Sequence, residues 1–440
     1  SRPLQIALDG IKINNGSYVF FDGEESFKNN VLGEFNPSYL RYDDIESQIE
    51  LGHVNYDGTL DFEIESFSAL DRTGYKIDEI SGPLKIDGPN LSISKLKIKT
   101  GKTFLNGNFS IQKDPKIKGS YFESFVYKLD LVNSSIRLSD IGAYAPYLKN
   151  HSLELELNAE MEGPLADFKV NRFLAKTKNG SNLNLNYTMK GMPNLPQLIQ
   201  TVEFKESFIS KDDIQEMFQV ETWNDNLSPF GDIYLNLNCE IPRGLYRQTG
   251  SVRSQSGTFD GFFEVDYAQM DSVMPFLCRG DFNGLKSTIW SDSVSAIDRI
   301  SGSLNLQGNR FDSAITSSFE LINASAYLNG NFINNIDLIG TTVNGDLDVQ
   351  VAALNDKIRL NLDFDVSNYF KPNREVNLVG KISKFDLFGL GLDTVRNIVS
   401  GELDLDLQGT AIDNYTGSLS VDYARFERDK TEFQLQHQII

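Results

Sequence analysis

Gly401–Gly409 reads GELDLDLQG and Gly231–Ile241 reads GDIYLNLNCEI; in both, apolar and polar residues take turns along the chain. Gly302–Gly308 (GSLNLQG) and Gly345–Val351 (GDLDVQV) repeat the pattern, each run opened by a glycine. Successive side chains on a strand point to opposite faces, so each run has one apolar and one polar face. An apolar face repeated along a chain needs a partner: a core, a bilayer or a bound apolar ligand.

The same alternation extends outward from these runs. It appears at Ile11–Ile13, Gln48–Leu51, Leu60–Ile64, Leu91–Ile98, Leu153–Met161, Leu183–Met189, Ile358–Val366 and Leu419–Val421. Asp87-Gly88-Pro89-Asn90, Asn106-Gly107-Asn108 and Asn329-Gly330-Asn331 have the composition of tight hairpin turns. The expected class is all-β, in antiparallel hairpins and meanders. Short helices are expected at Ser139–Lys149, behind a Ser cap, and at Ser210–Phe218, where Ser210 and Asp213 have capping-box spacing. Weaker helical patterns cover Asp271–Leu277 and Asp393–Val399, and all four segments read as crossover connections.

Composition narrows the function classes. The net charge of −20 argues against nucleic acid or an anionic bilayer surface as an electrostatic partner. Two cysteines, Cys239 and Cys278, are too few for a disulfide framework and lack zinc-site spacing; buried thiols are favoured over a single bridge. No apolar run is long enough for a membrane-spanning helix.

Chemistry-bearing patterns are missing from the sequence. His53, His151 and His437 sit in no HExxH motif and beside no candidate nucleophile. The carboxylate pairs Asp404/Asp406, Asp363/Asp365, Glu154/Glu156 and Asp346/Asp348 alternate with apolar residues, as the polar face of an amphipathic strand does. There is no P-loop, GxSxG or dinucleotide fingerprint. The reading is a non-enzyme with no catalytic residue, no metal site and no cofactor.

Three destinations compete for the apolar face. A sandwich would bury two sheets against each other. An outer-membrane barrel alternates in the same way, but several runs here are short and polar stretches such as Ser251–Asp260 interrupt them. The third is an elongated curled sheet with an open apolar trough. Each methylene buried there gains roughly 0.8 kcal/mol, and roughly 25 strands spaced 4.8 Å apart would extend on the order of 120 Å. The expected lining residues are Leu153, Leu155, Leu157, Leu183 and Leu185, then Ile233, Leu235 and Leu237, and finally Leu347, Val349, Leu403, Leu405 and Leu407.

The order of segments carries a resemblance. SDIGAYAPYLKN, followed by LELELNAEMEGPLADFKVNRFLAKTKNGSNLNLNYTMKGMPN within residues 130–194, resembles the TamB-like translocation and assembly module proteins, of the Bacteroidota type. Phe208–Phe218, Phe230-Gly231-Asp232, Gly257–Val265, Val379–Leu392 and Ser400–Ser420 resemble later units of that family; Ile80–Ile111 resembles the related AsmA-like repeats. The resemblance implies an elongated taco-shaped β-groove with a few short crossover helices. It would run as AsmA-like repeats over 1–120, a TamB-like groove over 121–280 and further repeats over 281–440. It further implies a periplasmic bridge whose groove conducts phospholipid acyl chains. An inner-membrane anchor would lie outside this segment, and a TamA- or BamA-like barrel would be the outer-membrane partner. A scaffold for outer-membrane protein assembly and a β-solenoid surface adhesin are the alternatives.

Overall fold

In a computed structural model, the described residues are 9–21, 39–54, 58–117, 121–142, 148–192, 194–217, 228–268, 273–286, 297–311, 314–368, 374–409, 414–428 and 431–439. The chain is all-β: the described residues form 24 strands, paired antiparallel within each of two units. Contacts between residues group it into two units, Ser1–Asn224 and Asp225–Ile440.

The first unit holds β1 (Gly10–Phe21), β2 (Tyr39–Val54), β3 (Leu60–Asp71), β4 (Lys76–Asp87), β5 (Asn90–Thr100) and β6 (Thr103–Lys113). After the one-turn helix α1 (Tyr121–Ser124) come β7 (Phe125–Arg137), β8 (Glu154–Gly163), β9 (Asp167–Thr177), β10 (Asn182–Lys190), β11 (Ile199–Ile209) and helix α2 (Lys211–Met217). Each strand pairs antiparallel with the next.

The second unit repeats the meander. It holds β12 (Ile233–Pro242), β13 (Leu245–Ser254), β14 (Gly257–Asp266), β15 (Met274–Lys286), β16 (Ile297–Phe311), β17 (Ala314–Leu328) and β18 (Asn331–Val343). β19 (Asp346–Leu354), β20 (Ile358–Ser367), β21 (Arg374–Asp386), β22 (Asn397–Gly409), β23 (Thr416–Arg428) and β24 (Thr431–Ile439) complete it. Again each strand pairs with its successor.

Local chemistry explains the joints. Asn329 and Gly330 join β17 to β18 at φ 48° and 78°, and Asn344 and Gly345 join β18 to β19 at φ 52° and 96°. Both are the positive-φ pairs that a type I′ hairpin requires. Bulges recur within the strands. Lys95, Asn133 and Asn323 adopt left-handed φ values of 49°, 50° and 51° where the register slips. The amide freed at each is taken up by the next strand: Asn108 Oδ1 accepts from Lys95 at 3.1 Å, Asn158 Oδ1 from Asn133 at 2.8 Å and Asp337 Oδ1 from Asn323 at 2.8 Å. A bulge bends its strand and increases its twist.

The structure corrects several local expectations. Asn106-Gly107-Asn108 is not a turn but the middle of β6, where Gly107 lies opposite Leu131. Gly302 and Gly401 do not open their strands; they lie inside β16 and β22. The polar stretch Ser251–Asp260 is a hairpin formed by the end of β13 and the start of β14. Residues 138–141 form a short 3-10 turn that starts at Leu138, so Ser139 is not its cap; residues 143–147 lie outside the described residues. Met274–Leu277 is strand, with residues 271 and 272 outside the description, and 393–396 is a turn leading into β22. The helix expected at Ser210 forms as α2, its capping contact running from the Asp213 amide to Ser210 Oγ at 3.2 Å.

Each unit has a local apolar cluster. In the first, Leu131, Leu157, Ala159 and Ala175 pack together; in the second, Ala326, Ile333, Ala353, Ile358 and Leu390 do. Leu390 comes from the connection between β21 and β22. Its side chain is fully buried there.

Candidate functional site

Residues directly opposite one another in an antiparallel pair share a face. In the second unit one such row runs Leu237–Gly250–Gly261–Gly280–Leu304–Leu321–Leu338–Val351–Leu362–Gly380–Leu403–Val421, from β12 to β23. Beside it runs Cys239–Gln248–Phe263–Cys278–Leu306–Phe319–Gly340–Val349–Phe364–Leu378–Leu405–Leu419. The first unit has its own row: Leu51–Phe62–Leu84–Ile93–Phe109–Leu129–Met161–Val170–Tyr187–Val202, from β2 to β11. Every register slip leaves these rows on one face.

Glycines in the rows make room for rings. A Cβ on Gly340 would stand 2.5 Å from Phe319 Cζ, and one on Gly308 would stand 2.8 Å from Phe276 Cζ. The ring of one strand therefore lies across the glycine of the next, and the face stays filled without a protruding side chain.

The expected lining residues can now be placed. Leu155, Leu157, Leu183 and Leu185 lie on the apolar face of the first unit: Leu157 and Leu183 both flank Ala175, while Leu155 lies opposite Thr177 and Leu185 opposite Phe173. Leu153 immediately precedes β8 and is buried. Ile233, Leu235, Leu237, Leu347, Val349, Leu403, Leu405 and Leu407 share the apolar face of the second unit. Leu347 and Leu407 belong to one row, joined through Val366 and Val376. Phe319, Phe364 and Leu378 fill the same face, and of these only Phe364 is marked by the alternation within Ile358–Val366.

Among the described residues no second sheet packs on these faces within either unit, although the β21–β22 connection sets Leu390 against Ile333, Ala353 and Ile358. The extensive contacts of each strand are with the strands before and after it. Leu403, Leu405 and Leu407 are half-buried, while the intervening Glu402, Asp404 and Asp406 are exposed. Leu157, at 2% exposure, is buried by neighbours from its own sheet.

The opposite face is charged. Lys128–Glu162 (2.9 Å) and Lys381–Glu402 (3.1 Å) bridge adjacent strands, and Asp348 lies opposite Asp365. Exposed pairs of this kind contribute little stability. One open depression of about 560 Å³ is lined by Asn108, Lys128, Asp130 and Glu160 together with Phe109 and Leu129 of the apolar row. Among the described residues, no three His, Cys, Asp or Glu side chains converge as a metal site would require. His53 pairs with Asp61 in β2–β3 and His437 with Asp422 in β23–β24. His151 Nδ1 is buried without a hydrogen-bond partner.

Carboxylates fasten the connections. Asp213 accepts hydrogen bonds from Thr177 Oγ1 (2.5 Å), Asn179 Nδ2 (2.9 Å), Ser210 Oγ (2.9 Å) and the Ser181 hydroxyl. Burial by itself raises the Asp213 pKa, but these donors outweigh it and hold the carboxyl below the usual aspartate range. The result ties α2 to the β9–β10 turn. Asp393 is likewise held low, chiefly by the Val395 amide. Both cysteines are free thiols, and burial pushes the Cys278 thiol up.

Comparison with protein-family models, curated proteins and solved structures gave no match.

Proposed function

We propose that this chain is a passive conduit whose apolar strand faces solvate the acyl chains of phospholipid. In this reading it is a TamB-like periplasmic bridge between inner and outer membranes that supports outer-membrane biogenesis. One observation carries the proposal: within each unit a row of mostly apolar residues crosses ten or more strands, and among the described residues no second sheet packs on it. A lipid tail laid along such rows gains roughly 0.8 kcal/mol per methylene removed from water. Because the lining is uniform, no position holds the tail much more tightly than the next, and sliding is easy.

The test is a graded charge series. Leu405→Asp alone should leave lipid co-purification and crosslinking nearly intact. Arginine placed together at Val349, Phe364, Leu378 and Leu405, which form one row, should abolish both. Equal lipid capture by the fourfold variant would overturn the conduit.

A second reading is a scaffold that pairs with nascent outer-membrane strands beside a TamA- or BamA-like barrel. It is favoured by Phe433 and Leu435 on β24, large apolar side chains 56% and 54% exposed, since such strand positions suit pairing with another chain. Photocrosslinkers at Leu405 and Leu435 separate the two readings. Lipid adducts at Leu405 support the conduit; polypeptide adducts at Leu435 support the scaffold.

A further inference from the structure

Among the described residues, two amides on the apolar faces are bound to a tyrosine, one in each unit. On β13, Gln248 lies between Cys239 on β12 and Phe263 on β14, with Tyr246 and Gly250 beside it on its own strand. The Tyr246 hydroxyl donates to Gln248 Oε1 at 2.7 Å. The first unit repeats the arrangement with Gln200 on β11: the Tyr187 hydroxyl donates to Gln200 Oε1 at 2.8 Å, and Gln200 lies opposite Met189. In both pairs the tyrosine hydroxyl donates to the amide oxygen, which leaves the Nε2 hydrogens for another acceptor. For neither Nε2 is a protein acceptor found among the described residues.

Spare donors in such surroundings suit a ligand that is hydrocarbon over most of its length and carries an isolated acceptor. The acceptor should be neutral. Neither the cross-strand nor the same-strand neighbours of Gln248 on this face include Lys or Arg, which a phosphate or carboxylate would call for. We infer that Tyr246–Gln248 and Tyr187–Gln200 are stations at which the apolar faces recognise the ester carbonyl of an acyl lipid through the glutamine N–H. This inference rests on the acyl-chain reading above and adds a polar selectivity to it. The uniform rows would let a tail slide, and the two stations would mark where it pauses.

The test compares dipalmitoyl phosphatidylcholine with its dihexadecyl ether analogue, which keeps the headgroup and chains but lacks both carbonyl oxygens. Competition against a bound hydrocarbon fluorophore on the purified chain gives the two affinities. The wild-type chain should prefer the diester by roughly three- to tenfold for each engaged glutamine. The double variant Gln200→Leu with Gln248→Leu should bind the diether as before and lose the preference. Gln248→Glu, which replaces the donor with an acceptor, should lower diester binding below that of the leucine variant. Retained diether binding shows that the variants are folded. A wild-type chain that binds both lipids equally, or a double variant that keeps the preference, would overturn the stations and leave the conduit standing. Binding of neither lipid to the wild-type chain would overturn the conduit and the stations together.

Discussion

Leu405 on β22 lies directly opposite Leu378 on β21, while their neighbours Asp404 and Val379 form the next pair and face the other way. The pair is half-buried, although it belongs to a row that crosses twelve strands. Leu157, on the equivalent face of the first unit, is 2% exposed. The two sites should therefore respond differently to truncation. Leu157→Ala should cost about 2–4 kcal/mol, since it opens a cavity among Leu131, Ala159 and Ala175. Leu405→Ala should cost about 1 kcal/mol, because its outer side already faces open space. Urea unfolding of the two variants checks the difference.

Asp213 gives a pH dependence whose sign can be derived. Its carboxyl is held below the ordinary aspartate range in the fold. The stability it contributes is present in full above the unfolded-state pKa of about 3.9 and is lost as pH falls through the lower folded value. Asp213→Asn places an N–H2 against donors from Thr177, Ser181 and Ser210 and should cost about 2–3 kcal/mol near neutral pH. The gap between wild type and variant should narrow on acidification, as denaturation midpoints at neutral and strongly acidic pH will show.

Gly340 tests the packing of ring over glycine. A Cβ there would meet Phe319 Cζ at 2.5 Å and the Asp348 backbone oxygen at 2.6 Å. The ring can swing away but the backbone cannot, so Gly340→Val should cost about 2–3 kcal/mol. Gly330→Ala is the contrast: nothing lies within 4 Å, and only its φ of 78° opposes the change. That substitution should cost about 1 kcal/mol, measured by thermal unfolding.

The cysteines should never pair. Cys239 and Cys278 lie in one cross-strand row but on β12 and β15, three strand spacings or about 14 Å apart, well beyond the reach of a disulfide. Thiol titration of the unfolded chain should give both thiols with or without reductant. In the folded chain Cys278, its pKa raised by burial, should be alkylated more slowly than free cysteine at the same pH, with the rate recovering as pH rises.

Much of the strand content was legible because alternation is a local signal. Leu403, Leu405 and Leu407 announce one face of β22 without reference to any other residue. Helix α2 was legible for a similar reason, its cap and third residue being neighbours in sequence. The failures lie where a distant partner decides. Met274–Leu277 becomes strand because Phe276 and Cys278 extend rows held by Val265, Phe263, Gly308 and Leu306. Gly107 looks like a turn residue, yet it sits mid-strand where the Asp130 backbone oxygen leaves no space for a side chain. The glutamine stations were invisible for the same reason, since Gln200 is set against Tyr187 only by the pairing of β10 with β11.

By itself, the order of residues determined that the chain would form strands and that each would have an oily and a wet side. Neighbouring backbone geometry alone dictates that alternation. Only the tertiary structure decided that the oily sides line up from strand to strand with no second sheet laid on them among the described residues. Alignment depends on hydrogen-bond register, on left-handed bulges such as Asn133 and Asn323, and on connections such as the one that buries Leu390. Each of these is set by groups far apart in the chain, where the pattern within a single strand has no influence.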